Sequence, residues 1–521
     1  MTLTVHTSEG SQTFSVEQPA YLSEILALHE HPLDLPCAGN GRCGKCRVKA
    51  SGALSPLSPE EEKLLTSEDL TAGIRLACRT KIVGDAEVTL SNKSNISVIQ
   101  TDAVSRNFER DQTEGYGVGI DIGTTTVAAT LVECASGREL ASACEQNPQE
   151  KYGADVISRI ERSLAGDREA LSVCILECIE RLLTELCQKT GLPGDQIARI
   201  IITGNTTMLY LLTNRDVDCL SHAPFDADEL FGREFPMQFQ TAPAARCYLT
   251  RCNSAFVGGD ITTAVLASGI TEENKTALLI DVGTNGEIAL IHDGKMYCSS
   301  TAAGPALEGA GIYMGMPALG GAIRRVWLDA EKKICCETVG DLPDTGICGS
   351  GVIDAMALLL KIGAVDETGL LLEEDHDYIE NIQDAGNTLA FRFGEKTLFT
   401  QKDIRAVQLA KAAICAGICT LLHEAGLTPA NVERFVIAGG FGSHINVENA
   451  AAIGLYPAEL AEKAEVLGNA ALEGAEMILQ RKAFYAESEQ IAYRMETVDL
   501  SSNPFFSDQY MESMMFTAAE L

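Results

Sequence analysis

Two stretches of the chain share one pattern of apolar and polar positions. Each begins with a short apolar run, Tyr116 to Ile120 or Ala277 to Ile280, that predicts a buried strand. Each run ends in a turn rich in glycine and threonine, Asp121-Ile-Gly-Thr-Thr-Thr126 or Asp281-Val-Gly-Thr-Asn-Gly-Glu287. A second apolar run follows each turn and predicts a second strand. The repeated strand–turn–strand unit predicts two lobes of similar construction.

A third apolar run ends in glycines. Residues 434–443 predict a strand followed by Gly439, Gly440 and Gly442, whose missing side chains let a flat base or ribose lie against the backbone. Apolar residues at helical spacing predict helices over residues 155–164 and 168–190, and a long helix after Gln401.

The chemistry of the two turns points to phosphate. Backbone N–H groups and threonine hydroxyls suit phosphate oxygens. An aspartate repels phosphate, so Asp121 and Asp281 are expected to act through a hard cation such as Mg²⁺. One such turn alone also fits an ordinary hairpin, whereas two facing turns predict one shared nucleotide. The residues predicted to contact it are Gly123, Thr124, Thr125, Thr126, Gly283, Thr284, Asn285, Gly286 and Glu287.

With these three runs in order, the chain resembles the actin, Hsp70 and sugar-kinase superfamily of ATP-binding proteins. The first two runs match its phosphate loops, and the third matches its adenosine motif. The resemblance implies a multidomain α/β fold whose ATPase part has two lobes of the ribonuclease H-like kind, with ATP and Mg²⁺ bound by both lobes.

Asp260 follows a Gly-Gly pair shortly before the second phosphate turn. Sugar kinases of the superfamily carry a Gly-Gly-Asp turn here, and its aspartate is their general base. The resemblance therefore implies that Asp260 deprotonates or orients a nucleophile near the γ-phosphate. The alternative is a helix N-cap, because aspartate before a helical run caps well, and both roles are compatible.

Three further segments carry candidate nucleotide contacts. Gly349 and Gly351 precede a predicted helix and place its N-terminus near anionic oxygens. Gln408 and Lys411 lie on the long helix after Gln401, and the resemblance to Hsp70 implies that Lys411 reaches the nucleotide. The small-residue stretch 302–311 is expected to close over the phosphates.

Four cysteines near the N-terminus have the spacing of a cluster site. Cys37, Cys43 and Cys46 lie on one glycine-rich loop, and Cys78 is distant. Three thiolates on a tight loop plus a fourth form the ligand set of a [2Fe–2S] cluster. Zinc is one alternative, although Cys78 lacks the paired cysteine or histidine that zinc sites usually have. Buried free cysteines are the other. The segment resembles β-grasp [2Fe–2S] ferredoxin domains, with a first gap closer to the adrenodoxin-like branch than to the plant type.

Composition limits the classes of protein to consider. The chain has 521 residues, 46% hydrophobic and 22% charged, which predicts several folded domains. Its net charge of −33 makes nucleic acid a poor partner. No long apolar run predicts a membrane span and no signal peptide is visible, so we expect a cytoplasmic protein without a membrane partner.

The predicted domain order follows from these motifs. Residues 1–95 form the ferredoxin-like domain, 96–115 a polar linker, 116–255 the first ATPase lobe, and 256–521 the second lobe with a C-terminal docking tail. A linker here would let the cluster domain move relative to the ATPase lobes.

The fusion of a ferredoxin-like domain to such an ATPase resembles the reductive activators of corrinoid proteins. The resemblance implies ATP-dependent reduction of Co(II) to Co(I). It also implies two partners, a corrinoid protein of a methyltransferase system and a low-potential electron donor, with a homodimer as the oligomer to test. Two features of relatives are missing here, an extra domain before the first lobe and a C-terminal cysteine set, since the last cysteine is Cys419.

Two other functions stay open at this point. Asp260 favours a small-molecule kinase, which gives no reason for four cluster ligands. An ATP-gated electron donor to another metalloenzyme, as in the activators of 2-hydroxyacyl-CoA dehydratases, accounts for both halves. Those activators hold a [4Fe–4S] cluster between two subunits, whereas this chain has a separate cluster domain.

Overall fold

The computed structural model describes residues 1–7, 10–16, 19–29, 31, 33, 41, 46–65, 67–90, 106–111, 114–374, 376–386, 388–440 and 445–516. It has two compact units. We call Met1–Asn95 with Pro148–Arg162 the N-terminal unit, and Ile96–Asn147 with Ser163–Leu521 the C-terminal unit. Each unit has an apolar core of its own.

A five-stranded mixed sheet with the order β2-β1-β5-β3-β4 forms the centre of the N-terminal unit. The first strand pairs antiparallel with the second and parallel with the fifth. The first helix buries Leu22, Ile25 and Leu26 in the core. This arrangement confirms the ferredoxin-like α/β prediction. The elements are β1 (Thr2–Thr7), β2 (Gly10–Ser15), β3 (Arg47–Leu54), β4 (Ile74–Leu76), β5 (Ile82–Thr89), α1 (Leu22–Leu28), α2 (Pro59–Leu64), α3 (Ser67–Thr71) and α4 (Val156–Arg162).

Two six-stranded sheets form the two lobes of the C-terminal unit. The first has the order β10-β11-β9-β6-β7-β8 and the second β22-β21-β12-β13-β14-β23. The strands of the first are β6 (Tyr116–Ile122), β7 (Thr126–Glu133), β8 (Arg138–Gln146), β9 (Ile197–Gly204), β10 (Arg233–Phe235) and β11 (Arg246–Leu249). Those of the second are β12 (Ala277–Val282), β13 (Gly286–His292), β14 (Lys295–Thr301), β21 (Arg434–Ala438), β22 (Ala464–Val466) and β23 (Met495–Thr497).

The two lobes repeat one topology. Strand β6 pairs antiparallel with β7 and parallel with β9, and β12 pairs antiparallel with β13 and parallel with β21. The prediction of two lobes of similar construction is therefore confirmed.

Smaller sheets and helices complete the C-terminal unit. The sheets have the orders β16-β15-β17 and β18-β19-β20. Their strands are β15 (Ala322–Leu328), β16 (Ile334–Thr338), β17 (Gly346–Ile347), β18 (Ile382–Asp384), β19 (Leu389–Phe393) and β20 (Thr397–Thr400). The helices are α5 (Arg168–Thr190), α6 (Thr206–Leu212), α7 (Asp218–Ser221), α8 (Gly259–Ser268), α9 (Gly349–Lys361), α10 (Gln401–Glu424), α11 (Val447–Ala452), α12 (Ala470–Gln480), α13 (Ala483–Arg494) and α14 (Pro504–Glu512).

Helix α12 comes from the second half of the chain but packs on β6, β9 and α8. Glycines allow the close approach. A Cβ on Gly117 would lie 2.6 Å from Leu479 Cδ2, and one on Gly474 would lie 2.1 Å from the Thr263 carbonyl oxygen. The second half of the chain thus returns to the first lobe, which the predicted division at residue 255 did not include.

The described end of the predicted linker is anchored on the C-terminal unit. Arg106 Nη1 donates to Glu487 Oε1 at 2.7 Å, and the guanidinium also pairs with Glu272. The Phe108 ring meets the Phe484 ring edge-on at 4.9 Å. Residues 106–111 of the predicted linker therefore pack on the C-terminal unit, because ion pairs and an aromatic contact hold them.

Helix α10 is long and apolar enough to cross a membrane by length and composition alone, but 83% of its most apolar window is buried inside the protein. It is the core helix on which the C-terminal tail docks. The Phe505 ring stacks on His423 at 4.0 Å, and Asn503 Nδ2 donates to Glu424 Oε1 at 2.8 Å. The tail therefore docks on its own chain.

Candidate functional site

Two of the four predicted cluster ligands meet in the N-terminal unit. Cys46 precedes β3 and Cys78 follows β4, and the antiparallel pairing of these strands brings the residues together. The Cys46 Sγ donates to the Cys78 Sγ at 3.2 Å, and both side chains are buried. Cys37 and Cys43 lie outside the described residues, so their role stays a prediction.

The Cys78 thiol is prepared to ionise. Its hydrogen bond with Cys46 lowers its pKa to about 7 against the opposing effect of burial, with help from the positive charge of Arg79. Thiolates are the form that binds iron or zinc. The buried thiol pair thus fits a thiolate-ligated metal centre.

Glu61 secures the segment that carries Cys78. Its buried carboxylate accepts from Arg75 Nε and Thr80 Oγ1, both at 2.8 Å, and from the Leu76 backbone N–H at 3.1 Å. Burial opposes its ionisation, but these hydrogen bonds hold its pKa at about 2. The residues on both sides of Cys78 are therefore tied to one charged anchor.

In the C-terminal unit each phosphate turn is closed by a backbone hydrogen bond. The Gly123 N–H donates to the Thr126 carbonyl and the Gly283 N–H to the Asn285 carbonyl, both at 3.0 Å. Asp121 and Asp281 stand at the ends of the equivalent strands β6 and β12.

Side chains from other segments support the first turn. Asn469 Nδ2 donates to Asp121 Oδ2 at 2.8 Å, Asn205 Nδ2 to Thr124 Oγ1 at 3.3 Å, and Asn147 Nδ2 to the Gly123 carbonyl at 2.8 Å. The turn is thus held in place by three amide groups distant in sequence.

The two turns touch each other. Thr125 Oγ1 and Thr284 Oγ1 lie 3.2 Å apart, and both donate to Glu308 Oε2, at 2.9 and 2.7 Å. The prediction that the turns face one shared site therefore has direct geometric support.

Five carboxyl groups at and near this contact have raised pKa values. Burial is the main cause in each case. It raises the pKa of Asp121 to about 6, of Asp260 to about 7 and of Asp281 to about 8, and the last two also feel neighbouring carboxylates. The pKa values of Glu287 and Glu308 are raised as well. Such a cluster favours a cation when it ionises.

The described side chains do not by themselves form a site that coordinates a metal ion directly. Within the described ranges, no group of three or more His, Cys, Asp or Glu side chains is placed to hold a metal ion. The donor set of hard oxygens nevertheless fits Mg²⁺, which keeps several waters and takes one or two carboxylates together with phosphate oxygens. Mg²⁺ held through water or phosphate remains our prediction.

Asp260 lies in the first turn of α8, where its Oδ1 accepts from the Ile261 N–H at 2.8 Å. The N-cap itself is Gly258, so the alternative prediction of Asp260 as the N-cap is off by two positions. A Cβ on Gly258 would lie 2.4 Å from Asn205 Cα, and one on Gly259 would lie 2.1 Å from Thr250 Oγ1. The Gly-Gly pair therefore lets Asp260 approach the first phosphate turn.

Gly439 brings the third motif beside the second phosphate turn. Its φ is +120°, and a Cβ there would lie 2.4 Å from the Val282 carbonyl and 3.1 Å from Asp281 Oδ1. A Cβ on Gly440 would have no other heavy atom within 4 Å. Residues 441–444, including Gly442, lie outside the described part of the chain.

Gly349 and Gly351 have a packing role in the structure. A Cβ on Gly349 would lie 2.2 Å from the Leu307 carbonyl, and one on Gly351 would lie 2.2 Å from the Ile323 carbonyl. Both glycines are buried where α9 begins. Their contact with a phosphate remains a prediction.

Gln408 and Lys411 are used by the C-terminal tail. Gln408 Nε2 donates to the Thr368 and Met514 carbonyls, both at 2.9 Å. Lys411 Nζ donates to the Met515 carbonyl and lies 4.9 Å from the centre of the Phe516 ring. The structure therefore places them against the tail instead of beside the phosphate turns, because buried donors on a core helix must find nearby acceptors.

Sequence reasoning missed Glu308 as a site residue. A signal was available, because Glu308 is the one acidic residue in the small-residue stretch 302–311 that was expected to close over phosphates. Asn205 and Asn469 gave no comparable signal. Each is the N-cap of a helix, and its contact with the first turn depends on the fold.

Comparisons with known proteins agree with this geometry. Residues 6–83 match the 2Fe-2S iron-sulfur cluster binding domain, 116–273 the RACo middle region, and 275–521 the C-terminal domain of RACo, described as the ASKHA domain. The corrinoid activation enzyme RamQ of Eubacterium limosum is 31% identical over 97% of this chain and 98% of its own length. The chain belongs to the RACo family.

Two further relatives of this RACo-family chain are informative. The [Co(II) methylated amine-specific corrinoid protein] reductase of Methanosarcina barkeri is 24% identical over 76% of both chains. A solved structure, the reductive activator for corrinoid, iron-sulfur protein, is 27% identical, covers 98% of both chains and superposes with a TM-score of 0.72. The family and the fold implied by the sequence motifs are thus confirmed.

Proposed function

We propose that this chain uses ATP to reduce the cobalt of a partner corrinoid protein from Co(II) to Co(I). The observation that carries the proposal is the pairing of Thr125 and Thr284 across the two lobes, in a chain whose other unit holds Cys46 against Cys78. The relatives named as corrinoid activators support it over the whole length of the chain.

The N-terminal unit provides the redox part. Cys37, Cys43, Cys46 and Cys78 would hold a [2Fe–2S] cluster, which supplies one-electron transfer when bound. Within the described residues, the Cys46–Cys78 contact and the Glu61 anchor hold two of these ligands in place.

The C-terminal unit provides the nucleotide part. Asp121 and Asp281 would hold Mg²⁺ directly or through water, while the hydroxyls of Thr125 and Thr284 bind phosphate oxygens. Asp260 would orient the attacking water and accept its proton, because its raised pKa is close to neutral.

The need for ATP follows from reduction potentials. Plant-type [2Fe–2S] centres lie near about −400 mV, and corrinoid Co(II) is expected to be harder to reduce. Each 59 mV of deficit costs roughly a factor of ten in a one-electron step. ATP helps only if it favours one conformation of the activator over another, so the ATP-bound state must differ in its affinity for the corrinoid protein.

A cobalamin absorbance assay tests the proposal. Purified protein, a low-potential reductant, Mg-ATP and candidate corrinoid proteins are mixed, and formation of Co(I) is followed. We expect Co(I) only when ATP and a cognate partner are both present. Co(I) formation at the same rate without ATP contradicts the proposed role of the C-terminal unit.

Asp260 keeps a small-molecule kinase as the second candidate, because its position beside the phosphate turns suits a general base. The same assay mixture separates the two. ATP consumption that yields inorganic phosphate supports the activator, whereas transfer of the phosphoryl group to a small molecule supports the kinase.

A further inference from the structure

Glu308 occupies the point where the two phosphate turns meet. One of its carboxylate oxygens, Oε2, accepts from the hydroxyls of both Thr125 and Thr284, at 2.9 and 2.7 Å. The other, Oε1, is 3.4 Å from the position that a Cβ on Gly283 would take. Both oxygens therefore lie against groups that the sequence assigns to phosphate binding.

A phosphate group bound by the two turns would use the same two hydroxyls. A threonine hydroxyl has a single proton, so it donates to one acceptor at a time. An ionised carboxylate and a phosphate oxygen cannot both accept from Thr125 and Thr284, and two anions at one place repel each other.

We propose that Glu308 is an internal substitute for phosphate that holds the two lobes together when no nucleotide is bound and gives up both hydroxyls when ATP binds. The inference rests on the proposed ATP site and assigns it a positioning residue. Glu308 therefore competes with ATP, and its removal makes the site more accessible to the nucleotide.

The local backbone is suited to such an exchange. Glu308 ends a 3₁₀ turn, Pro305–Glu308, between Gly304 with φ +77° and Gly309 with φ +82°. Glycine adopts these torsions with little strain and leaves the segment few steric barriers to rotation. The Gly304 N–H donates to the Thr284 carbonyl at 2.8 Å, so the segment is tied to the phosphate turn at its start.

Release of Glu308 would also be felt beyond the site. A Cβ on Gly349 would lie 2.2 Å from the carbonyl oxygen of Leu307, so the residue before Glu308 packs tightly on the start of α9. Helix α9 in turn packs on β15. A shift of the Pro305–Glu308 turn on ATP binding would thus act on the small sheet of the second lobe.

The test compares Mg-ATP affinity by titration calorimetry in three proteins. Glu308→Gln keeps the size of the side chain and removes its charge. Because a charge-assisted hydrogen bond is worth more than a neutral one, we expect this variant to bind Mg-ATP about tenfold more tightly than the wild type. Glu331→Gln removes an exposed acid outside the site and should leave the affinity unchanged.

Hydrogen exchange of residues 302–311 gives a second, structural result. In the wild type, exchange should rise when Mg-ATP binds. In nucleotide-free Glu308→Ala it should already be raised, and Mg-ATP should add little. Equal exchange in nucleotide-free Glu308→Ala and wild type would contradict the proposal that Glu308 holds the two turns together.

The outcomes separate this inference from the proposed function. If the wild type binds Mg-ATP and Glu308→Gln binds it equally or more weakly, Glu308 does not compete with phosphate and the inference is wrong. If the wild type binds no Mg-ATP at all, the proposed ATP site itself is wrong and the inference falls with it.

Discussion

The pKa of the buried thiol in the N-terminal unit is lowered, whereas the pKa values of the buried carboxyl groups in the C-terminal unit are raised. The bond to Cys46 and the charge of Arg79 bring the pKa of Cys78 down to about 7. Burial brings the pKa of Asp281 up to about 8, and no neighbour opposes it. The thiol site is therefore ready to ionise before a metal binds, whereas the carboxyl site becomes fully charged only with a cation.

The two sites therefore suit different kinds of proposed cofactor. Metal ligands must be deprotonated to bind, so the lowered pKa of Cys78 favours metal binding. The carboxyl groups have raised pKa values, and a cation favours their ionised form by offsetting the repulsion between their charges. The first property fits the proposed [2Fe–2S] cluster, and the second fits the proposed binding of Mg-ATP.

Substitution of a cluster ligand should have the largest effect. Cys78→Ser replaces a thiolate with a poorer iron ligand, so we expect iron to fall from about two atoms per chain to nearly none. Iron analysis and visible absorbance measure this. Mg-ATP affinity should not change, and Cys187→Ser, at a partly exposed cysteine outside both sites, is the matched control. A brown Cys78→Ser protein with full iron content would exclude Cys78 as a ligand.

The next effect concerns hydrolysis. Asp260→Asn removes the proposed base but keeps the shape of the side chain, so ATP should still bind while its hydrolysis slows about 10²–10⁴-fold. Single-turnover phosphate release gives the rate, and Asp195→Asn at an exposed position serves as the control. Hydrolysis by Asp260→Asn at the wild-type rate would exclude Asp260 as the base.

Asp281→Ala tests whether the nucleotide site can be impaired without affecting the cluster site. We expect its Mg-ATP affinity to fall about tenfold or more, because a charged ligand interaction is lost. Iron content and cluster reduction should stay unchanged, while the corrinoid remains as Co(II). Normal Co(I) formation would contradict the coupling of ATP to reduction, and a bleached cluster would contradict the independence of the two sites.

The smallest effect is a pH dependence outside both sites. Burial raises the pKa of Glu476 from 4.5 to about 8. A carboxyl group with a raised pKa stabilises the folded state below its unfolded pKa, and that contribution is lost as the pH rises through about 8. The melting temperature of the wild type should therefore fall as the pH rises from about 4.5 to about 8, and Glu476→Gln should reduce this fall by a few degrees. Identical melting temperatures of Glu476→Gln and the wild type at every pH would show that Glu476 is solvated and has an ordinary pKa.

The core helix α10 shows where a local pattern misleads. Its amphipathic sequence correctly predicts a long helix. Gln408 and Lys411 donate hydrogen bonds to carbonyl oxygens of the C-terminal tail, about a hundred residues later in the chain. A helix pattern identifies buried positions but contains no information about which segment buries them.

Short-range chemistry was enough to predict the strands on either side of the two phosphate turns, and it also predicts the cysteine set. Apolar runs predict strands, glycine and threonine predict turns suited to phosphate, and closely spaced thiols predict a shared metal. Only the tertiary structure decided that Asn469 supports Asp121, that α12 returns to the first lobe, and that Glu308 joins Thr125 to Thr284. These contacts join residues far apart in the chain, and their geometry depends on how whole sheets and helices pack.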